Sequence, residues 1–492
     1  MKMKYILAID QGTTSSRALI FDKNGNLIFK SQQELKCYFP KEGWVEQDAL
    51  DIWLSVLNVI NDLFAKNNLT YDDIASVGIT NQRETTIIWD KKTGMPVYNA
   101  IVWQSRQSVS YCESWDEYKD LIHSKTGLIL NPYFSASKIR FILDHIENGQ
   151  ERAEKGELMF GTVDSWLVYK LTKGKVHKTD ITNASRTMFY NINTLEYDDE
   201  LLKIFNIPKC ILPEVCPCND FFGYATFLND KLKIHAIAGD QQAALFGQNC
   251  FEIGESKSTY GTGCFMLVNI GDKPIFSNNG LITTVGWQIG NKVTYALEGS
   301  VFMGGATIQW LRDQLGLIKD AKDTARYALR AKHDLGVYVV PAFVGLGAPY
   351  WDDECKGAIF GLTRGTTKDH LVRATLNSIA YQVKDIFAAI EDETKINITA
   401  LKVDGGATAN EYLMQFQSDI LRINITLPKC LETTALGVAY LAGLGCGFYN
   451  DLNEIKYIHR CDEKYTPQMD IEKVNKKLAY WKKAIEVTRM FK

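Results

Sequence analysis

Tyr5-Ile6-Leu7-Ala8-Ile9-Asp10-Gln11-Gly12-Thr13-Thr14-Ser15-Ser16-Arg17-Ala18-Leu19-Ile20-Phe21 is the segment from which the architecture can be read. An apolar run stops at a carboxylate, a glycine allows a tight turn, hydroxyl residues follow, and a second apolar run leads away. This predicts strand, turn, strand, with a charged group at the end of a buried strand. The link Asp22-Lys23-Asn24-Gly25-Asn26 contains Asn-Gly, a strong hairpin signal, and predicts a third strand over 27–30. Apolar residues at Ile52, Trp53, Val56, Leu57, Ile60 and Leu63 recur at helical spacing and predict a helix over 48–64. Further strands are predicted over 74–79 and 86–89. A three-strand meander followed by alternating helices and strands is an α/β pattern.

The opening recurs in the second half. Strands over 256–260 and 265–270 flank Gly261-Thr262-Gly263, and strands over 288–289 and 293–297 flank Gly290-Asn291. Helices over 307–315, 368–391 and 411–421 and a strand over 400–403 follow. The echo predicts two related domains joined near 247–256. No Pro- or Ser-rich linker separates them, which favours a tight interface with the ligand between.

Composition narrows the function. At 492 residues the chain exceeds a single core, and 46% hydrophobic with 23% charged residues is ordinary for a water-soluble globular protein. A formal net charge of −3 gives no basic surplus for nucleic acid or a membrane surface. No apolar run approaches the roughly 18 residues of a membrane helix. The start Met1-Lys2-Met3-Lys4 is followed by an apolar run that ends at Asp10, too short for a signal peptide, so a cytoplasmic location is expected. The 11 cysteines are scattered without a Cys-x-x-Cys pair, and the 7 histidines are isolated, which argues against disulfides and a catalytic transition metal. No Gly-x-x-x-x-Gly-Lys-Ser/Thr loop occurs.

The turn at Asp10–Arg17 supplies free amides and hydroxyls of the kind that cradle phosphate oxygens, and its carboxylate can hold magnesium through water. Ser258-Thr259-Tyr260-Gly261-Thr262-Gly263 repeats that chemistry. Val403-Asp404-Gly405-Gly406-Ala407-Thr408-Ala409-Asn410 joins an apolar strand to a helix, and its paired glycines let backbone approach a flat ring or a phosphate. Singly, each is also an ordinary polar turn. Together they fit a nucleotide held between two domains.

These motifs resemble the phosphate and adenosine motifs of the sugar-kinase, heat-shock-chaperone and actin superfamily. Within it the chain resembles the FGGY carbohydrate kinases, and most closely their glycerol-phosphorylating branch. Further matching segments are Gly78-Ile79-Thr80-Asn81-Gln82-Arg83-Glu84-Thr85, Ala100-Ile101-Val102-Trp103-Gln104, Asn131-Pro132-Tyr133-Phe134-Ser135 and Ala238-Gly239-Asp240-Gln241-Gln242-Ala243-Ala244, in the family's order over nearly the whole chain. The resemblance implies an α/β fold of two ribonuclease-H-like (actin-like ATPase) domains, residues 1–249 and 250–492, with mixed sheets flanked by helices and an interdomain active-site cleft. It implies ATP and Mg²⁺ as cofactors, glycerol as phosphoryl acceptor, and a homodimer.

Roles follow residue by residue from the same resemblance. Arg83, Glu84, Tyr133, Asp240 and Gln241 would bind the glycerol hydroxyls, with Trp103 and Phe265 against its carbon backbone. Thr13, Thr14, Ser15, Arg17 and Thr262 would contact the phosphates. Gly305, Gln309, Gly406 and Asn410 would frame the rest of the nucleotide. Asp10 would hold Mg²⁺ through water, Asp240 would act as base, and Arg83 would assist catalysis. Each has a bland alternative: Arg83-Glu84 as a solvated ion pair, Trp103 as core, Tyr133 in a capping turn, Asp240 as a helix N-cap. Their joint occurrence favours the functional reading. The rivals are a kinase for another polyol or ketose on this fold, a nucleotide-switched binding protein, and a catalytically dead relative.

Overall fold

The computed structural model describes residues 4–352, 354–458 and 461–491; the first three residues, where the charged start was read, lie outside them. The first sheet contains Tyr5–Gln11 (β1), Ser15–Phe21 (β2), Leu27–Glu34 (β3), Ile74–Asn81 (β4), Gly223–Tyr224 (β5) and Lys233–Gly239 (β6). Its order is β5-β6-β4-β1-β2-β3, with β1, β2 and β3 antiparallel and β1, β4 and β6 parallel. β1 is buried from Ile6 onward because both faces of the sheet are covered. Leu7 and Ile9 pack against the helix Ala49–Asn67 (α1), whereas Ile6 and Ala8 face the opposite side. α1 starts where Asp48 accepts a hydrogen bond from the Leu50 amide at 2.7 Å, and it buries Ile52, Trp53, Val56, Val59, Ile60 and Leu63.

The second sheet contains Ser256–Tyr260 (β7), Cys264–Gly271 (β8), Ile282–Ile289 (β9), Lys292–Val301 (β10), Ala400–Asp404 (β11), Asn424–Pro428 (β12) and Cys461–Tyr465 (β13), in the order β9-β10-β8-β7-β11-β12-β13. Its antiparallel β7, β8 and β10 and parallel β7, β11 and β12 reproduce the pattern of the first sheet. The echo read from the sequence is therefore a repeat of topology.

The two sheets are joined by helices that cross at glycine. Asp240–Gly247 (α2) follows β6, and Thr433–Gly445 (α3), from the second half, packs on α2 and on the face of β4. A Cβ added to Gly437 would lie 1.8 Å from the Ala243 carbonyl oxygen, and one on Gly247 would lie 2.0 Å from that of Thr433. The two backbones touch only because neither residue has a side chain. One apolar core runs from β1 through α3 into the second sheet.

One reading is sharpened and one corrected. The predicted strand over 86–89 is Ile87–Asp90, but it pairs with Leu158–Gly161 in a separate two-stranded sheet. Local apolar content reports burial without saying which sheet a strand joins. The segment over 288–289 is the end of an eight-residue strand, Ile282–Ile289, near whose start the polar Thr283 and Thr284 are buried.

Candidate active site

β1, β4 and β6 run parallel, so Asp10, Arg83 and Asp240, at or just past their C-terminal ends, gather along one edge. This is where parallel α/β sheets bind ligands. Beyond β4 the chain makes a γ-turn, in which the Thr85 amide donates to the Arg83 carbonyl at 2.6 Å and Glu84 adopts φ 59°. That conformation is costly for a residue with a Cβ. Thr86 and Ser135 hydroxyls hold the Glu84 carbonyl, each at 3.1 Å.

Arg83 and Glu84 are both buried, so they are not a solvated surface pair. Their main partners are two residues that the sequence reading did not single out. Arg83 makes a bidentate pair with Glu298 of β10, Nη1 to Oε2 at 2.5 Å and Nη2 to Oε1 at 3.0 Å. Arg186 donates to Glu84 at 2.5 Å and to Glu298 at 3.1 Å. Burial alone would push Glu298 up, but Arg186 and Arg83 outweigh it and hold its carboxyl at about 2. Glu84 is raised by burial, with Arg186 and Arg83 opposing. Two guanidiniums therefore face two carboxylates, and the first domain is tied to the second.

Asp240 is the first residue of α2, whose N-cap is Gly239, so the capping alternative does not hold. One oxygen, Oδ1, meets Arg83 Nε at 3.2 Å and the Gln241 amide at 2.7 Å. The other makes no hydrogen bond among the described residues and is open to a ligand. The Gln241 side-chain oxygen is held by Lys257.

The aromatic residues form one wall. Trp103 stands edge-on to Tyr133, with centroids 5.5 Å apart, and to Phe265 of the second sheet at 6.3 Å. All three are half-buried. Trp103 Nε1 also donates to the Thr13 hydroxyl at 2.9 Å, so the wall touches the turn after β1.

In that turn the Gly12 amide donates to the Ser15 carbonyl at 2.9 Å, while Gln47 holds the Thr13 carbonyl at 2.6 Å. Thr13 and Thr14 keep their backbone N–H groups free among the described residues, and Thr14 is exposed, whereas Ser15 is buried at the start of β2. Asp10 is buried, and its carboxyl is raised to about 6, first by burial, with Glu432 and Asp240 adding and Arg17 opposing. Arg17 lies 3.7 Å from Asp10 and 2.9 Å from Glu432, a partner absent from the sequence reading.

Across the cleft, Thr262 is exposed at the tip of the hairpin between β7 and β8. Its carbonyl receives the Gly304 and Ala306 amides at 2.9 and 3.0 Å, and the Gly261 carbonyl receives that of Gly305 at 2.8 Å. Gly305, which opens the helix Gly305–Asp313, thus serves to seat this helix on the hairpin; Gln309 projects exposed from it. Gly405 has φ 95°, and a Cβ there would lie 2.5 Å from the Tyr260 carbonyl oxygen, while Gly406 beside it borders open space. Asn410 caps the helix Glu411–Leu421 through the Leu413 amide and donates to Thr324, each bond near 3 Å (3.0 and 2.9 Å). Its side chain is therefore engaged in the fold.

Comparison with known proteins agrees with this architecture. Residues 5–247 match the N-terminal domain, and residues 257–446 the C-terminal domain, of the FGGY family of carbohydrate kinases. A glycerol kinase from Fusobacterium nucleatum is 56% identical, with 99% of each chain covered. Among solved structures, Plasmodium falciparum glycerol kinase with ADP superposes with a TM-score of 0.92 at 37% identity, covering 99% of this chain and 98% of that one. Gluconate kinase from Lactobacillus acidophilus shares the fold, with a TM-score of 0.86 at 23% identity over 99% of this chain and 97% of that one. The chain belongs to the FGGY family of carbohydrate kinases.

Proposed function

We propose that this protein transfers the γ-phosphoryl group of ATP to a terminal hydroxyl of glycerol. The observation that carries this reading is charge balance beside an aromatic wall. Arg83 and Arg186 are matched by Glu84 and Glu298, Asp240 adds a negative charge at Arg83, and Arg186 lies over the Tyr133 ring of the wall that Trp103 and Phe265 complete. Such a site offers donors and acceptors on several sides with an apolar face for CH groups. It has no net positive charge to receive a sugar acid, which favours an uncharged polyol. The relatives named as glycerol kinases support the same substrate.

Arg83 and Gln241 offer donors to the acceptor, Glu84 and Asp240 accept, and the aromatic wall orients the carbon chain. Asp240 takes the proton of the attacking hydroxyl as its oxygen meets the γ-phosphorus in line. Thr13, Thr14 and Ser15 from one side and Thr262 from the other hold the phosphates, and the open edge at Gly406 admits the adenosine end. Asp10 suits Mg²⁺ held through water. It is a carboxylate at the cleft whose pKa is raised chiefly by burial, with Arg17 only partly opposing, and no cluster of three or more metal-ligating side chains exists among the described residues. When bound, that ion would neutralise phosphate charge. The lobes of residues 1–249 and 250–492 would close over the substrates to exclude water. Asp240→Asn tests the assignment of the base: ADP release in the presence of glycerol should drop by about 10²-fold or more, and near-normal turnover would refute it.

A further inference from the structure

Lys257 lies on β7, four positions before the hairpin that presents Thr262, and its side chain is wholly enclosed. It has no salt-bridge partner among the described residues. Its ammonium donates to the Gln241 side-chain oxygen and to the Thr259 hydroxyl, the latter at 3.1 Å. Burial brings its pKa down to about 8, with Arg83 adding to the fall and Asp404, Asp240 and Glu298 opposing it, so it keeps its proton at neutral pH. A charge buried against two neutral acceptors is expensive, and it persists where it has a task.

An ammonium has donors and no acceptor. The Gln241 amide must therefore turn its oxygen to Lys257. Its NH₂ edge is left free, since it makes no hydrogen bond within the described residues, and it sits one residue after Asp240 at the head of α2. The carboxylate and the amide at these adjacent positions then carry opposite hydrogen-bonding characters, Asp240 accepting and Gln241 donating.

We propose that Lys257 is a positioning residue of the transfer reaction, fixing the Gln241 amide as a hydrogen-bond donor toward a substrate hydroxyl oxygen beside Asp240. This rests on the glycerol reading and deepens it. Without Lys257 the amide is free to rotate, and half of its orientations place an oxygen against the substrate oxygen. The residue thereby sets selectivity for an acceptor bearing a hydroxyl at that point.

The test is a double-mutant cycle on the full-length enzyme, following ADP release with glycerol for wild type, Lys257→Met, Gln241→Ala and the double variant. Lys257→Met replaces the unpaired ammonium by an apolar chain of similar length and removes a desolvation cost, so the fold should hold. It should raise KM for glycerol by about ten-fold while KM for ATP stays within about two-fold. In the Gln241→Ala background the same change should add less than about two-fold, because the two residues act as a unit. Equal effects in both backgrounds, or an unmoved glycerol KM, would overturn the proposal. Gln241→Glu gives a second readout, because its carboxylate pairs with Lys257 and keeps the local structure but presents no donor. It should weaken glycerol to a similar degree, and a near-normal KM would overturn the proposal. A wild-type enzyme that releases no ADP with glycerol would sink the glycerol reading itself, whereas a glycerol-active wild type with an indifferent Lys257→Met sinks the role of Lys257 alone.

Discussion

Trp103 Nε1 donates to the Thr13 hydroxyl at 2.9 Å, joining the aromatic wall to the turn after β1. The bond occupies a lone pair of the Thr13 oxygen and leaves its hydrogen to be given elsewhere, which suits a phosphate oxygen. One residue thus serves both halves of the proposed reaction.

Trp103→Phe keeps an aromatic ring beside Tyr133 and Phe265 but deletes the donor. One hydrogen bond is worth about 1 kcal/mol, so KM for ATP should rise about five-fold, with a smaller change for glycerol. Steady-state kinetics with each substrate varied in turn checks this. A change confined to glycerol would mean that the indole acts only as a wall.

Glu298→Gln removes one of two carboxylates that balance two buried guanidiniums. Breaking a buried pair leaves an uncompensated charge, so unfolding free energy should fall by about 3 kcal/mol and kcat/KM for glycerol by about 10²-fold. Thermal unfolding measures the first, and steady-state kinetics with glycerol varied measures the second. Full stability with full activity would show that Arg83 does not depend on the second domain.

Gly437→Ala tests the crossing of α2 and α3. The new Cβ would meet backbone 1.8 Å away, where no rotamer change can relieve the clash. Overpacking of this kind costs about 3 kcal/mol, so denaturant unfolding should shift to a clearly lower midpoint. An unaltered midpoint would mean that the helices separate easily.

His177 donates to the Phe160 carbonyl at 2.7 Å, and burial lowers its pKa from 6.5 to about 4. In that window the unfolded chain binds a proton that the folded chain refuses, so stability rises with pH between about 4 and 6.5 and falls as the solution is acidified. His177→Gln should flatten this slope by roughly 2 kcal/mol across the window. Parallel melting curves for the two proteins at every pH would contradict it.

Much of this arrangement was legible in the sequence, for definable reasons. The strand, turn, strand at Asp10 announced itself because strand ends, a glycine and hydroxyls are contiguous. Arg83 and Glu84 were visible as adjacent charges after an apolar strand. Glu298 was not, since its partner Arg83 is 215 residues away and only the fold brings them together. The available signal was a lone carboxylate inside Tyr295-Ala296-Leu297-Glu298-Gly299, where burial demands a counter-charge. Arg186, in Ala184-Ser185-Arg186-Thr187, and Lys257, between two serines, gave no such contrast with their neighbours. Asn410, directly before the helix predicted over 411–421, carried an N-cap signal, but sequence could not tell that its amide also reaches Thr324 or that the Gly305 amide is spent on the hairpin. Those are facts of tertiary geometry.

The most direct test of the account is a coupled assay of ADP release by the purified protein, with ATP and Mg²⁺, across glycerol, dihydroxyacetone, xylulose and gluconate. The expected result is glycerol-dependent ADP release with a phosphorylated glycerol product, and a kcat/KM for glycerol exceeding that for gluconate by about 10²-fold or more. ADP release that ignores the acceptor, or a preference for gluconate or xylulose, would contradict it.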